Sequence, residues 1–306
     1  MARSTERSRA DGEASLMVRA AATYTLGSIA GVISLLAGLS AAADRPIPGD
    51  NVAAPIEGAL CGCPPFPEIP FGRRPSYLPG NTLVLTFDDG PDLVNTPKVL
   101  DVLARESVQA TFFLNTESWT SLRENAVARA IVRRIVEEGH SLANHTAHHL
   151  RISRLPPEKI EQEIAEVEIV VREILGSEAP RLTLFRAPFG DPYVGHRWGP
   201  TFRKVAPIVA RHAVHVGWNI APTERVCPSG AGLCVLASTR RQLDRGAYGV
   251  VLLHSTKAET AAGLPAIIAE ARRRGMRFLS VEDAVRARYQ RSSAELVDDP
   301  RCHGGG

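Results

Sequence analysis

The chain alternates between short apolar runs and longer stretches in which apolar residues recur every three or four positions. The runs at 83–87, 109–114, 140–143, 182–185, 213–217, 249–253 and 277–279 have the length and residue types of buried strands. The intervening segments 96–106, 123–138, 157–175, 200–211, 236–245, 261–274 and 281–290 carry helical periodicity. The pattern is clearest at 157–175. Pro157 and Glu158 open this helix, Ile160, Ile164, Val167, Val171 and Ile174 mark its apolar face, and Gly176 stops it. Repeated strand–helix units predict an α/β fold with a parallel sheet. About seven units favour a barrel, with a doubly wound open sheet as the alternative.

The flanks break this rhythm. Residues 1–19 are polar and hold Arg3, Arg7, Arg9 and Arg19, whereas 20–43 carry no charge and end in Ala41-Ala42-Ala43. A basic leader, an apolar centre and a small-residue end predict a secretory signal cut after Ala43. The apolar stretch 20–43 is also long enough to span a bilayer, so membrane anchoring is the alternative. Residues 44–81 contain nine prolines and predict a linker and a strap rather than regular elements. The repeating region occupies 82–290, and 291–306 form a tail.

Composition adds little and excludes something. Of 306 residues, 44% are hydrophobic and 23% charged, with a formal net charge of +3, which is ordinary for a globular protein of one barrel-sized domain or two small ones. No concentrated basic patch predicts a nucleic-acid partner; Arg272-Arg273-Arg274 reads as a solvated helix end before Gly275. The default expectation is a monomer. The five cysteines are compatible with an oxidising compartment. Cys227 and Cys234 flank a short loop and are disulfide candidates, and Cys302 could pair with Cys61 or Cys63. Cys61-Gly62-Cys63 has the wrong spacing for a zinc finger.

The candidate chemistry lies at strand ends. The run 83–87 stops at Asp88-Asp89-Gly90-Pro91, so two carboxylates sit where parallel α/β folds place their sites. Adjacent carboxylates can divide labour, one holding a metal and one moving a proton. After the third strand comes Asn144-His145-Thr146-Ala147-His148-His149. His145 and His149 are four apart and would share a face on a helical turn, with His148 turned away. With Asp89 they make a three-ligand set that leaves positions open. Arg186 follows the fourth strand and could hold Asp88 ionised; Pro188 and Gly190 shape a tight loop whose N–H groups could face an oxyanion. His254 ends the run 249–253 and has a near-neutral pKa suited to a proton donor.

Taken together, TFDDG at 86–90, HTxxH at 145–149, RAPFG at 186–190 and LLH at 252–254 resemble the ordered motifs of the polysaccharide deacetylase family, carbohydrate esterase family four. The resemblance covers about 82–290. It implies a distorted (β/α)7 barrel and a divalent metal, usually zinc and sometimes cobalt or nickel. It also implies an acetylated glycan as substrate, with N-acetylglucosamine in peptidoglycan or chitin-like chains as the first choice. By resemblance, Asp88 is the general base, Asp89, His145 and His149 are the metal ligands, and Arg186 orients Asp88. Phe189, often Tyr in the family, offers a backbone oxyanion donor. Leu252 walls the acetyl pocket, Trp218 and Pro188 face the substrate, and His254 is the general acid.

One departure stands out. The family's Asp-Trp segment, whose Asp tunes the acid, corresponds here to Val216-Gly217-Trp218-Asn219-Ile220-Ala221-Pro222, and Ser255 replaces a frequent Asp. An amide cannot raise a histidine pKa as a carboxylate does. An exported N-deacetylase, periplasmic or extracellular, is therefore the expectation. The alternatives are an O-acetyl esterase acting on xylan-type sugars, a small-molecule amidase, and a non-catalytic glycan-binding relative.

Overall fold

The computed structural model describes residues 64–195 and 198–304. The leader, the first part of the linker, Cys61 and Cys63 lie outside the described residues. The strands are β1 (Glu68–Ile69), β2 (Thr82–Gly90), β3 (Thr111–Leu114), β4 (Ser141–Asn144), β5 (Leu184–Phe185), β6 (Val214–Val216), β7 (Gly249–His254) and β8 (Arg277–Phe278). The helices are α1 (Asn95–Glu106), α2 (Ala126–Glu137), α3 (Pro157–Leu175), α4 (Pro200–Ala210), α5 (Gly232–Asp244), α6 (Ala258–Arg273), α7 (Val281–Tyr289) and α8 (Ser293–Val297).

Every strand pairing among the described residues is parallel. The order is β1-β6-β5-β4-β3-β2-β7, with β8 on β2. The ring closes beyond β6, where the Asn219 N–H donates to the Val250 carbonyl at 2.8 Å and the Leu252 N–H to the Ile220 carbonyl at 2.9 Å. The fold is the distorted (β/α)7-type barrel, not an open sheet.

Strand alternation divides the core. Leu83, Leu85 and Phe87 of β2 face outward and pack with Val99, Leu103 and Ile267 of the helical layer. Val84 faces inward with Phe113, Ala143, Leu184, Val214, Val216 and Val250, drawn from every other strand from β3 to β7. By the same period of two, Thr86 and Asp88 belong to the inner face.

Two elements depart from the pattern-based expectation. Despite its prolines, the strap forms β1, which adds to β6 through Glu68↔His215 and Ile69↔Val216. Edge strands tolerate proline because one side of their backbone need not pair. Beyond α7, the tail forms α8, which buries Leu296 and Val297, and Cys302 is also buried. Cys302 is disulfide-bonded, and both of its candidate partners lie outside the described residues.

Candidate active site

The site is assembled from strand ends. Asp88 and His254 are register partners on the adjacent strands β2 and β7. His145 directly follows β4, and Arg186 directly follows β5. A regular strand would turn Asp88 and Asp89 to opposite faces. Here Asp89 has φ 67°, and the β2–β3 register slips between Phe87 and Gly90. This local bend lets both carboxylates face one cleft.

His145 and His149 do converge, though not on a helix as expected. Residues 145–149 are a loop in which Thr146 (φ 68°) and His149 (φ 56°) adopt the left-handed conformation. The Thr146 hydroxyl accepts the His149 N–H at 3.1 Å and fixes the bend. His145 Nδ1 lies 2.7 Å from the Arg186 carbonyl, to which it donates, leaving Nε2 as the free lone pair. His148 points away and bonds Glu163 at 3.0 Å.

Asp89 Oδ1 is buried and makes no hydrogen bond, yet His145 Nε2 and His149 Nε2 approach it to 3.4 and 3.2 Å. The ligand atoms of Asp89, His145 and His149 all lie within 4.8 Å of one another. An orphaned carboxylate oxygen beside two aimed imidazole nitrogens is the donor set of a divalent metal, so these residues fit the ion that the sequence motifs imply. Burial favours the protonated acid. The contacts with both imidazoles and the His254 charge outweigh it and hold the Asp89 carboxyl well below its usual range.

Asp88 lies beside this set, its Oδ2 3.7 Å from His145 Nε2. Its Oδ1 accepts from Arg186 Nη1 at 2.6 Å. Arg186 is 0% exposed and donates also to Thr86 Oγ1 at 2.9 Å, the Val216 carbonyl at 2.9 Å and the Gly217 carbonyl at 3.2 Å. Its guanidinium stacks 4.2 Å from the Phe113 ring. Burial pulls the Arg186 pKa down, and the Asp88 charge opposes that.

Across the cleft, His254 Nε2 is 3.9 Å from Asp89 Oδ2. Its Nδ1 meets Glu224 Oε2 at 2.5 Å, and its N–H donates to Glu224 Oε1 at 3.1 Å. Glu224 is 2% exposed and also accepts the Thr260 hydroxyl. Burial lowers the His254 pKa, but the Glu224 hydrogen bond and charge, aided by Asp88 and Asp89, push it up to about 9. This corrects the sequence reading, which found no carboxylate for the histidine. Asn219 is spent on the barrel seam: its Oδ1 accepts the Val250 N–H at 2.7 Å and its amide nitrogen donates to the Gly72 carbonyl at 2.5 Å. Ser255 is buried and accepts the Thr96 hydroxyl at 3.1 Å. The detectable signal was a lone carboxylate, Glu224, three residues before Cys227 in a stretch after β6 whose only other charge is Arg225. Cys227 and Cys234 are joined by a disulfide that spans from this turn to α5.

The cleft has a volume of about 520 Å³, and Leu252, Trp218, Phe189 and Trp119 are among its walls. Trp218 is braced edge-on by Phe71 of the strap at 4.6 Å. Pro188 is buried and starts the turn that carries Phe189. Phe189 has φ 61°, and its N–H donates to no protein group among the described residues. Its ring lies 4.7 Å from that of His149.

Comparison with known proteins bears on the family and the fold. The sequence model described as "Polysaccharide deacetylase" matches residues 76–205. A peptidoglycan-N-acetylglucosamine deacetylase of Bacillus cereus is 30% identical over 230 residues, covering 72% of this chain and 96% of that one. A chitooligosaccharide deacetylase of Rhizobium leguminosarum is 34% identical over 185 residues, covering 60% and 72%. The structure of a family 4 acetyl xylan esterase from Clostridium thermocellum, in complex with a cobalt ion, superposes with a TM-score of 0.53 at 28% identity, covering 67% of this chain and 90% of that one. The chain belongs to the polysaccharide deacetylase family of hydrolases.

Proposed function

We propose that the protein is an exported, metal-dependent deacetylase that removes N-acetyl groups from N-acetylglucosamine-containing polysaccharide. The observation that carries this reading is the arrangement of three elements around one cleft. Asp89, His145 and His149 form a ligand set, Asp88 is paired with Arg186 on one side, and His254 is paired with Glu224 on the other. Residues 82–290 are assigned the catalysis.

Asp89, His145 and His149 would hold a divalent cation, with zinc the first assignment and cobalt or nickel the alternatives. When bound, it supplies a Lewis acid for the acetyl carbonyl and lowers the pKa of water. Asp88, aimed by Arg186, takes the proton of the attacking water. The free N–H of Phe189 stabilises the developing oxyanion. Leu252 receives the acetyl methyl and Trp218 bounds the sugar, whereas Pro188, expected to face the substrate, is buried behind the cleft wall and shapes the turn that carries Phe189. His254, held in its donor tautomer by Glu224, protonates the departing nitrogen, releasing acetate and a free amine.

Export rests on the basic leader, the apolar segment and the Ala41-Ala42-Ala43 end, and anchoring through residues 20–43 is its alternative. Sequencing the N-terminus of the cell-associated protein separates the two, since Asp44 as first residue supports cleavage. The resemblance to the xylan esterase keeps ester hydrolysis as the second reading.

The test is acetate release from acetylated chitooligosaccharide, peptidoglycan and acetylxylan, with and without chelator. Amide hydrolysis abolished by chelator and restored by zinc is expected. Activity that survives complete metal removal overturns the metal assignment. Asp88→Asn is expected to lose about a hundredfold or more, and full activity in that variant overturns the base.

A further inference from the structure

We propose that the glycan this enzyme selects carries carboxylates close to the acetamido sugar being cleaved. This inference rests on the deacetylase reading and narrows its substrate.

The observation is a ring of cations at the catalytic cleft. Arg151, Arg225 and Lys257 all line it. They come from three separate segments: Arg151 lies two residues after His149, Arg225 directly follows Glu224, and Lys257 lies three residues after His254. None of the three makes an ion pair with a carboxylate among the described residues. Arg151 instead lies 4.2 Å over the exposed Phe189 ring. Both aspartates of the cleft are already engaged, Asp88 by Arg186 and Asp89 by the two imidazoles.

Carboxylates are not scarce elsewhere. Arg123 bridges Glu166 and Glu173, Arg134 bridges Asp101 and Glu138, and Arg274 bridges Asp244 and Glu270. The catalytic mouth is thus a place where positive charge collects without protein counter-charge. A divalent cation on Asp89, His145 and His149 would add to it. Like charges in one concave site repel one another, and an anionic ligand relieves that repulsion while being drawn in. A guanidinium fork also matches a carboxylate in geometry. A neutral chain of N-acetylglucosamine offers these side chains hydroxyl and carbonyl acceptors but no counter-charge. A glycan bearing a lactyl ether, a uronate or a short acidic peptide on the neighbouring sugar supplies one.

The test compares kcat/KM for acetate release on four probes: peptidoglycan strands with peptides attached, the same strands stripped of peptide, stripped strands with their carboxyls chemically reduced, and acetylated chitooligosaccharide of equal length. The unmodified enzyme is expected to prefer the carboxylate-bearing strands, with a preference that shrinks as salt rises. Loss of preference on removing the peptide assigns the carboxylate to the peptide, and loss only on reduction assigns it to the sugar. In the Arg225→Ala/Lys257→Ala double variant, the ratio of anionic to neutral kcat/KM is expected to fall roughly fivefold to tenfold. Arg225→Lys should retain most of the ratio, and Arg225→Glu should lower it further. Peptide-bearing and stripped strands that both react no better than the reduced strands, or a ratio that the variants leave unmoved, overturn the proposal while leaving the deacetylase reading intact. Absence of acetate from every probe overturns both.

Discussion

On one flank of the cleft, Asp88 meets a guanidinium with no exposed surface, tied to the carbonyls of Val216 and Gly217 deep in the barrel. On the other, His254 meets a carboxylate carried by a turn, Glu224–Val226, between β6 and α5. Both partners are buried and both bonds are charge-assisted. They differ in what holds the partner. Arg186 is held by the fold itself, because its ligands are strand backbone and the inner face of β2. Glu224 is held by a loop, the Thr260 hydroxyl, and a disulfide beginning three residues later. The base flank is inseparable from folding, whereas the acid flank is a module laid over a finished barrel.

Substitution should expose that difference. Arg186→Met is expected to have the largest effect. It leaves the Asp88 carboxylate buried without its counter-charge, which costs about 3–5 kcal/mol of stability. Urea denaturation should show a large drop in midpoint, together with loss of activity. A variant of native stability would mean that the base flank is not part of the folding core.

Glu224→Gln comes next. It keeps the shape and removes the charge, so the fold should persist while kcat/KM falls about tenfold to a hundredfold. The sign of its pH effect follows from the His254 pKa. Glu224 is the main cause of its rise to about 9, so the histidine stays protonated up to that pH and the rate declines above it. Without the carboxylate, the opposing influence of burial remains, and the alkaline limb of the pH–rate profile should move to lower pH. A limb that stays in place would remove Glu224 from the acid's control.

The smallest change is expected from Cys227→Ser/Cys234→Ser. The loop beyond Glu224 loosens, and activity should drop severalfold through the same alkaline limb. Metal affinity, measured by chelator competition, should hold. A drop in metal affinity instead would show that the two flanks are mechanically linked.

The two flanks were also unequally legible in the sequence. Asp88, Asp89, Arg186 and His254 were readable because each ends or follows an apolar run, and parallel barrels concentrate chemistry there. The parallel α/β barrel was readable for the same reason. Glu224 was not, because its position depends on a turn rather than on periodicity. Asn219, which stands where the tuning carboxylate was sought and was ruled out as an amide, closes the barrel seam. The His145–His149 pair was found by spacing, but the stated cause was wrong. Left-handed Thr146 and His149, not a helical turn, aim the rings, and no residue-type preference announces a β-branched threonine in that conformation. Strand β1 was hidden by the prolines that flank it, Pro67 and Pro70, which an edge position accommodates.

Arg186 has one more consequence. Its side chain grips Asp88, and its own carbonyl receives the Nδ1 proton of His145. A single residue therefore stands between the proton acceptor and one arm of the ligand set. Basicity and ion affinity are thermodynamically coupled through it, so mutational effects on the two should be strongly non-additive. At the opposite rim, by contrast, Arg225 and Lys257 can be exchanged without touching the pair that Arg186 joins.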